Sequence, residues 1–399
     1  MVKEKETGKN AEILNVGLVG HIDHGKTTLL QKLSGKWADT HSEELKRGIT
    51  IRLGYADVVI CKDKDKYNIE GKGERIRQIS FIDAPGHEIL MATMLSGAAL
   101  IDVALLVIAA NEGIKPQTRE HLMALQVKSI KKLIVVQNKI DLVDEAKARE
   151  NYNEIKEFLK GSYDDSIIIP VSAQQGVNVD MVLKALCEVE IPARDKTGEP
   201  IFVIARSFDI NRPGTAPEKL HGAVLGGSLK KGILKIGDEI EIKPGRIVKE
   251  GNKYRYETIN TKVKGLFRNE EINELTPGGS SSIETELDMV LGKSDSLAGN
   301  LVSLKGKLPS LTEHIKIKYT LFPEVFGVKE RVKVEPIKVS ELLLLSINTS
   351  TGGGSVASIK NDEINISLKM PVIAFKGDNV GIARNVQGHW RLIGSGVVV

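Results

Sequence analysis

The segment Gly20-His21-Ile22-Asp23-His24-Gly25-Lys26-Thr27 follows an apolar run and opens a helix-like stretch, and it constrains this chain more than any other feature. The two glycines permit a tight turn whose backbone N–H groups point inward. Lys26 can then reach outer phosphates, and the Thr27 hydroxyl suits Mg²⁺. The helix that begins there adds the positive end of its dipole. Context turns the pattern into a phosphate-binding loop: Ile13 to Val19 reads as a buried strand, and Leu29, Leu30 and Leu33 give the next helix an apolar face that Gly35 ends.

A chain of 399 residues exceeds one ordinary domain, so two or three are expected. The formal charge is +4 with 27% charged residues, a near balance that argues against a whole-surface nucleic-acid binder and leaves room for a local basic patch. Cys61 and Cys187 lack a paired spacing, which points to a reducing compartment and away from a structural zinc site. Met1 to Asn10 carry no apolar signal-peptide core, and the runs Val103 to Ala110 and Leu342 to Leu345 are too short to span a bilayer. The expectation is a soluble cytoplasmic protein with no membrane partner.

Downstream of the first helix, Trp37 to Gly48 is polar and aperiodic and reads as a mobile loop leading into Thr50. Lying over a nucleotide, the Thr50 hydroxyl would complete a Mg²⁺ shell only while a γ-phosphate is present. Leu53 to Cys61 and Ile76 to Ile82 read as two paired strands joined by a charged loop, Lys62 to Arg75. Asp83-Ala84-Pro85-Gly86-His87 follows. A carboxylate at that strand end can hold Mg²⁺ through water, the Gly86 N–H can meet a γ-phosphate, and His87 is placed to orient an attacking water.

Strands at Asp102 to Ala110, Lys132 to Gln137 and Ile167 to Val171 alternate with helices at Gln117 to Val127, Tyr152 to Leu159 and Val179 to Cys187. That alternation predicts a parallel sheet with its ligand at the carboxyl ends of the strands. Asp141 in Asn138-Lys139-Ile140-Asp141 can accept both N1–H and the exocyclic amine of guanine, while Asn138 and the stem of Lys139 support the ring. The backbone of Ser172-Ala173-Gln174 would meet the guanine oxygen. Five such elements in this order describe a guanine-nucleotide domain.

From Pro200 the texture changes to short β-rich runs with glycine and proline turns and no intervening helices, which predicts barrels or sandwiches. Pro309 marks a second boundary. Gly352-Gly353-Gly354 reads as a flexible hairpin loop and Trp390 as a core anchor. The expected organisation is an α/β P-loop GTPase domain over 1–199 followed by two all-β barrel domains over 200–308 and 309–399.

These motifs resemble the translational GTPases of the elongation factor Tu family. The narrower signals are Leu53-Gly54-Tyr55-Ala56, Ser207-Phe208-Asp209-Ile210-Asn211-Arg212-Pro213-Gly214 and Trp390-Arg391-Leu392-Ile393-Gly394. Within that family they are similar to the gamma subunits of archaeal and eukaryotic translation initiation factor 2. The resemblance implies GTP/GDP and Mg²⁺ as ligands, a slow intrinsic GTPase, alpha and beta partner subunits, methionylated initiator tRNA as cargo and the small ribosomal subunit as destination. It implies nucleotide contacts from Asp23, His24, Gly25, Lys26, Thr27, Thr28, Gly86, Asn138, Lys139, Asp141, Ser172, Ala173 and Gln174. Thr27, Thr50, Asp23, Asp83 and Gly48 would serve metal ions, His87 would be the catalytic histidine, and Ile22 and Ile49 would form a hydrophobic gate beside it. Arg206 and Arg212 are candidate tRNA contacts. Many relatives carry a cysteine-rich zinc knuckle after the first switch, but Lys62 to Gln78 holds no cysteine, so no zinc is expected. An elongation-type carrier of another aminoacyl-tRNA, such as selenocysteinyl-tRNA, and a nucleotide-stabilised assembly scaffold are the competing readings.

Overall fold

The computed structural model describes residues 12–35, 54–83, 100–250, 253–325, 332–348 and 350–399. The expected loop at 37–48 and the site residues Gly48, Ile49, Thr50, Gly86 and His87 lie outside the described residues. Two compact units emerge. The first takes the described residues before 84 together with Ile101–Leu122 and Ile130–Pro192; the second takes Leu100, Met123–Ser129 and Ala193–Val399.

In the first unit, strands β1 (Glu12–Gly20), β2 (Gly54–Asp63), β3 (Lys66–Asn68), β4 (Glu74–Asp83), β5 (Val103–Ala109), β6 (Lys132–Asn138) and β7 (Ile167–Pro170) form one seven-stranded sheet in the order β3-β2-β4-β1-β5-β6-β7. The helices of this half are α1 (Lys26–Ser34), α2 (Pro116–Val127), α3 (Glu145–Leu159) and α4 (Val179–Glu188). From β4 to β7 every pairing is parallel, as the strand-helix alternation predicts. The edge differs from a wholly parallel sheet: β2 runs antiparallel to β4, because a hairpin and no crossover helix joins them. The charged connection is also more ordered than expected, with β3 paired to β2 inside it. Asn68 closes that turn, its Oδ1 accepting from the amides of Glu70 and Lys72 while its Nδ2 donates to the Lys72 carbonyl at 2.9 Å.

The central strands are continuous apolar runs because both faces are covered. All seven residues of β5 are buried, and Leu14, Val16 and Leu18 of β1 share a cluster with Phe81, Leu29, Leu30, Leu33, Val182 and Leu186. Each such large side chain contributes about 1.5–3 kcal/mol on full burial. Arg77 on β4 donates to the carbonyls of Leu186 and Val189, supplying acceptors at the end of α4 with a partner from across the sheet. α3 begins seven residues before the expected Tyr152: Asp144 caps it by accepting from the Lys147 amide at 2.8 Å, and its first turns face solvent, so they carry no apolar stripe.

In the second unit β8 (Ile201–Phe208), β9 (Val224–Lys231), β11 (Glu239–Glu250), β12 (Lys253–Arg268), β15 (Ser281–Thr285) and β16 (Leu301–Leu304) close on themselves through the β11–β12 pairing. Short strands β10 (Leu234–Lys235), β13 (Glu270–Ile272) and β14 (Glu274–Leu275) decorate this barrel. A second closed barrel, ordered β17-β22-β21-β20-β23-β24, uses β17 (Thr312–Leu321), β20 (Leu342–Ile347), β21 (Ser350–Lys360), β22 (Glu363–Val372), β23 (Asn379–Val386) and β24 (His389–Val398). β18 (Glu324–Val325) pairs with β19 (Val332–Lys333) beside it. Each barrel has its own core, around Phe202, Leu225 and Ile242 in one and Ile317, Leu343 and Ile366 in the other.

Two expectations fail here. Gly352, Gly353 and Gly354 are not a hairpin loop but part of β21, opposite Leu345, Leu344 and Leu343. A Cβ on Gly354 would stand 2.5 Å from the Cγ2 of Ile366, so glycine serves close approach across the barrel. Trp390 is only half-buried on β24 and is absent from the barrel core.

Candidate nucleotide site

The phosphate loop leaves the carboxyl end of β1, which lies between β4 and β5, and ends where α1 begins. Gly25 is the helix N-cap at φ 91°, without a side-chain cap, and the first turn of α1 carries no acidic residue. Its amides are thus left for an anion. A Cβ on Gly25 would stand 2.3 Å from Asn138 Nδ2, so a side chain there would collide with the base end of the site. Asp23 also takes a positive φ of 60° and is exposed, and Ile22 is half-buried.

Lys26 is buried and donates from Nζ to the carbonyls of Gly20 at 2.9 Å and His21 at 2.8 Å. Thr27 Oγ1 stands 3.4 Å from Asp83 Oδ2, and Asp83 is wholly buried at the carboxyl end of β4. Thr28, the next residue, is half-buried on α1. The structure therefore brings together a lysine, a hydroxyl and a carboxylate expected from residues far apart in the sequence.

The His24 ring does not face a phosphate. It is buried against β5, with Nδ1 3.3 Å from the Val107 carbonyl and Nε2 3.8 Å from Glu112. Burial pushes its pKa down to about 3, so the ring is neutral. Its contribution to a ligand is confined to its backbone.

At the base end, Asn138 terminates β6 and is buried. Its Nδ2 donates to the His24 carbonyl at 2.9 Å and its Oδ1 accepts from the Ala173 amide at 3.0 Å. Lys139 turns through a φ of 61°, and its Nζ lies 3.4 Å from Glu112. Asp141 sits exposed in the short 3-10 helix Ile140–Leu142. Ser172 and Ala173 are buried, and the Ser172 hydroxyl accepts from the Gln175 amide at 3.3 Å; Gln174 is exposed. Phosphate and base ends are thus one hydrogen-bonded unit with Asn138 at the join.

Sequence reasoning missed three residues. From α2, His121 Nδ1 accepts the Gly20 amide proton at 2.8 Å and Gln117 Oε1 lies 3.5 Å from the Ile22 amide. Glu112 faces Lys139 and His24 together. The only local signal was the one-turn spacing of Gln117 and His121 on one helix face.

In the second unit, Arg206 pairs with Asp295 at 2.9 Å, and that carboxylate also accepts from the Ser207 amide. Arg212 is exposed. Among the described residues, no cluster of three or more His, Cys, Asp or Glu side chains is placed to hold a metal, and no helix is long and apolar enough to cross a membrane.

The chain is similar to known proteins over its whole length. Residues 11–192 match the elongation factor Tu GTP binding domain, and 313–398 match initiation factor eIF2 gamma, C terminal. Translation initiation factor 2 subunit gamma of Methanocaldococcus jannaschii is 49% identical, with all of both chains covered. That of Pyrococcus horikoshii is 48% identical over 99% of each chain. Translation elongation factor SelB of Methanococcus maripaludis shares the fold, with a TM-score of 0.74 at 24% identity over 98% of this chain and 79% of that one. The chain is a GTPase with two barrels, and it belongs to the family of translation initiation factor 2 gamma subunits.

Proposed function

We propose that this GTPase carries methionylated initiator tRNA to the small ribosomal subunit, in company with alpha and beta subunits, and releases it when GTP is hydrolysed. The observation that carries this reading is full-length similarity to initiation-factor gamma subunits, barrels included. In this reading the chain works as three domains, 1–199, 200–308 and 309–399.

Lys26 and the amides at the start of α1 hold the phosphates, and Asp141, Lys139, Asn138 and the 172–174 backbone hold guanine. Thr27 and Asp83 present hard oxygen donors 3.4 Å apart, a donor set that fits Mg²⁺. Held there, the ion would supply positive charge that offsets the charge of the phosphates. Thr50 and Gly86 sense the γ-phosphate, and His87 positions the attacking water behind the gate of Ile22 and Ile49. Loss of the γ-phosphate then frees both switch segments and weakens the tRNA surface, to which Arg212 contributes charge.

The test is protection of the methionyl ester on initiator tRNA against hydrolysis, with GTP or GDP, in the presence of the alpha subunit and with elongator methionyl-tRNA as control. GTP-dependent protection restricted to initiator tRNA is expected. Equal protection of both tRNAs would favour an elongation-type carrier, and no protection would favour a scaffold.

A further inference from the structure

The phosphate loop is gripped from outside by a helix that contributes none of the recognised motif residues. Gly20 closes β1, and the amide next in line after His21 belongs to Ile22. α2 meets both, His121 at Gly20 and Gln117, one turn earlier, at Ile22. These two N–H groups therefore point toward the helix, which leaves the phosphates to the amides that follow. Lys26 Nζ meets the Gly20 carbonyl, so the ends of that residue are tied in different ways. The tie to Lys26 must loosen when phosphates draw the ammonium toward themselves. The tie to His121 involves no ligand-binding group and persists.

We infer that His121 is a positioning residue for nucleotide binding: its imidazole Nδ1 holds the Gly20 amide and so fixes the point at which the chain turns around the phosphates. The inference rests on the reading of residues 20–27 as the phosphate cradle. Several features suit His121 to the role. The ring is buried, so the Gly20 amide has no water to turn to if the acceptor is lost, and a buried unpaired N–H is costly. Desolvation, with smaller contributions from the charges of Lys26 and His21, holds its pKa down to about 3. The imidazole accordingly stays a neutral acceptor at physiological pH, with its proton on Nε2. Among its neighbours, the ring of His24 is buried and faces the Val107 carbonyl, so it offers Gly20 no substitute.

The experiment compares affinities for GDP and GMP in wild type, His121→Leu and His121→Asn by equilibrium dialysis, since the β-phosphate is the group that the cradle reads. Leucine fills the space without an acceptor, whereas asparagine places Oδ1 where Nδ1 stood. The leucine variant should lose about tenfold of the preference for GDP over GMP, the worth of one such hydrogen bond. The asparagine variant should return it to near the wild-type value. General destabilisation would weaken both nucleotides alike and leave the ratio unchanged. Full preference in the leucine variant, or no recovery with asparagine, would overturn the assignment. A wild-type protein with no preference for GDP would instead overturn the cradle reading itself. Should the leucine variant fail to fold, ¹⁵N spectra of the wild-type imidazoles decide: an unprotonated Nδ1 on His121 supports the contact, and a proton on Nδ1 overturns it.

Discussion

The Asn138 side-chain amide donates to the His24 carbonyl at 2.9 Å, although 114 residues separate the two. Its other end accepts from the Ala173 amide, so one buried side chain joins the loop after β1 to the segment after β7. Replacing Asn138 by alanine removes both contacts and leaves a carbonyl and an amide unpaired. At about 1–3 kcal/mol for each, GDP affinity should fall on the order of a hundredfold. Displacement of a fluorescent GDP analogue measures this, and an affinity within a factor of two or so of wild type would refute the bridging role.

Asp141 stands exposed in its short helix, open to a ligand edge. An asparagine in its place would offer a donor to guanine where an acceptor is wanted. Asp141→Asn should therefore shift preference toward xanthosine nucleotides, by roughly 10²-fold or more. Competition between GTP and xanthosine triphosphate reads the outcome directly. Retained guanine preference would remove Asp141 from base recognition.

How much of this was legible in the sequence depended on whether the partner was local. Lys26, Thr27 and Asp83 could be placed because each sits at the end of a strand or the start of a helix, where backbone geometry alone orients it. Asn138 was legible as a base-site residue, but its bond to His24 was not, because a side chain's far partner is set by sheet order. His121 was invisible for the same reason: nothing in Pro116–Val127 announces that its face meets Gly20. In the barrels, closure depends on register. Gly352 to Gly354 read as a loop because glycines that serve close packing within β21 resemble those of a turn.

The Thr27 hydroxyl and Asp83 carboxylate face one another at 3.4 Å, and if the two hold Mg²⁺ as proposed, nucleotide retention should depend on that ion. Chelation of Mg²⁺ should speed GDP release from the wild type. In Thr27→Ala that acceleration should largely vanish, since the variant lacks one of the oxygens that hold the ion. Stopped-flow release with and without chelator tests the point. An equal acceleration in both proteins would mean that Thr27 is not a ligand.

His87 follows Asp83 by four residues, immediately after the Gly86 expected to meet the γ-phosphate. General-base or water-orienting groups contribute about 10²–10⁴-fold to a rate. His87→Ala should thus suppress ribosome-stimulated hydrolysis within that range and leave GTP binding intact. Unchanged stimulated turnover would assign the water to another group.

His121 also gives the fold a pH dependence with a definite sign. Its ordinary pKa of 6.5 falls to about 3 in the native chain, chiefly through desolvation. Between those values the unfolded chain binds a proton that the native chain refuses, so stability declines as pH drops below about 6.5 and the loss is complete near pH 3. From pH 6.5 to 5 this amounts to about 2 kcal/mol at 1.36 kcal/mol per unit. An asparagine at position 121 does not titrate, yet it preserves the acceptor for Gly20. Urea unfolding of wild type and His121→Asn at pH 7 and pH 5 isolates the effect: the wild type should lose about 2 kcal/mol more than the variant. Equal losses would show that the ring gains its proton in the native state, and that the Gly20 amide has let go of it.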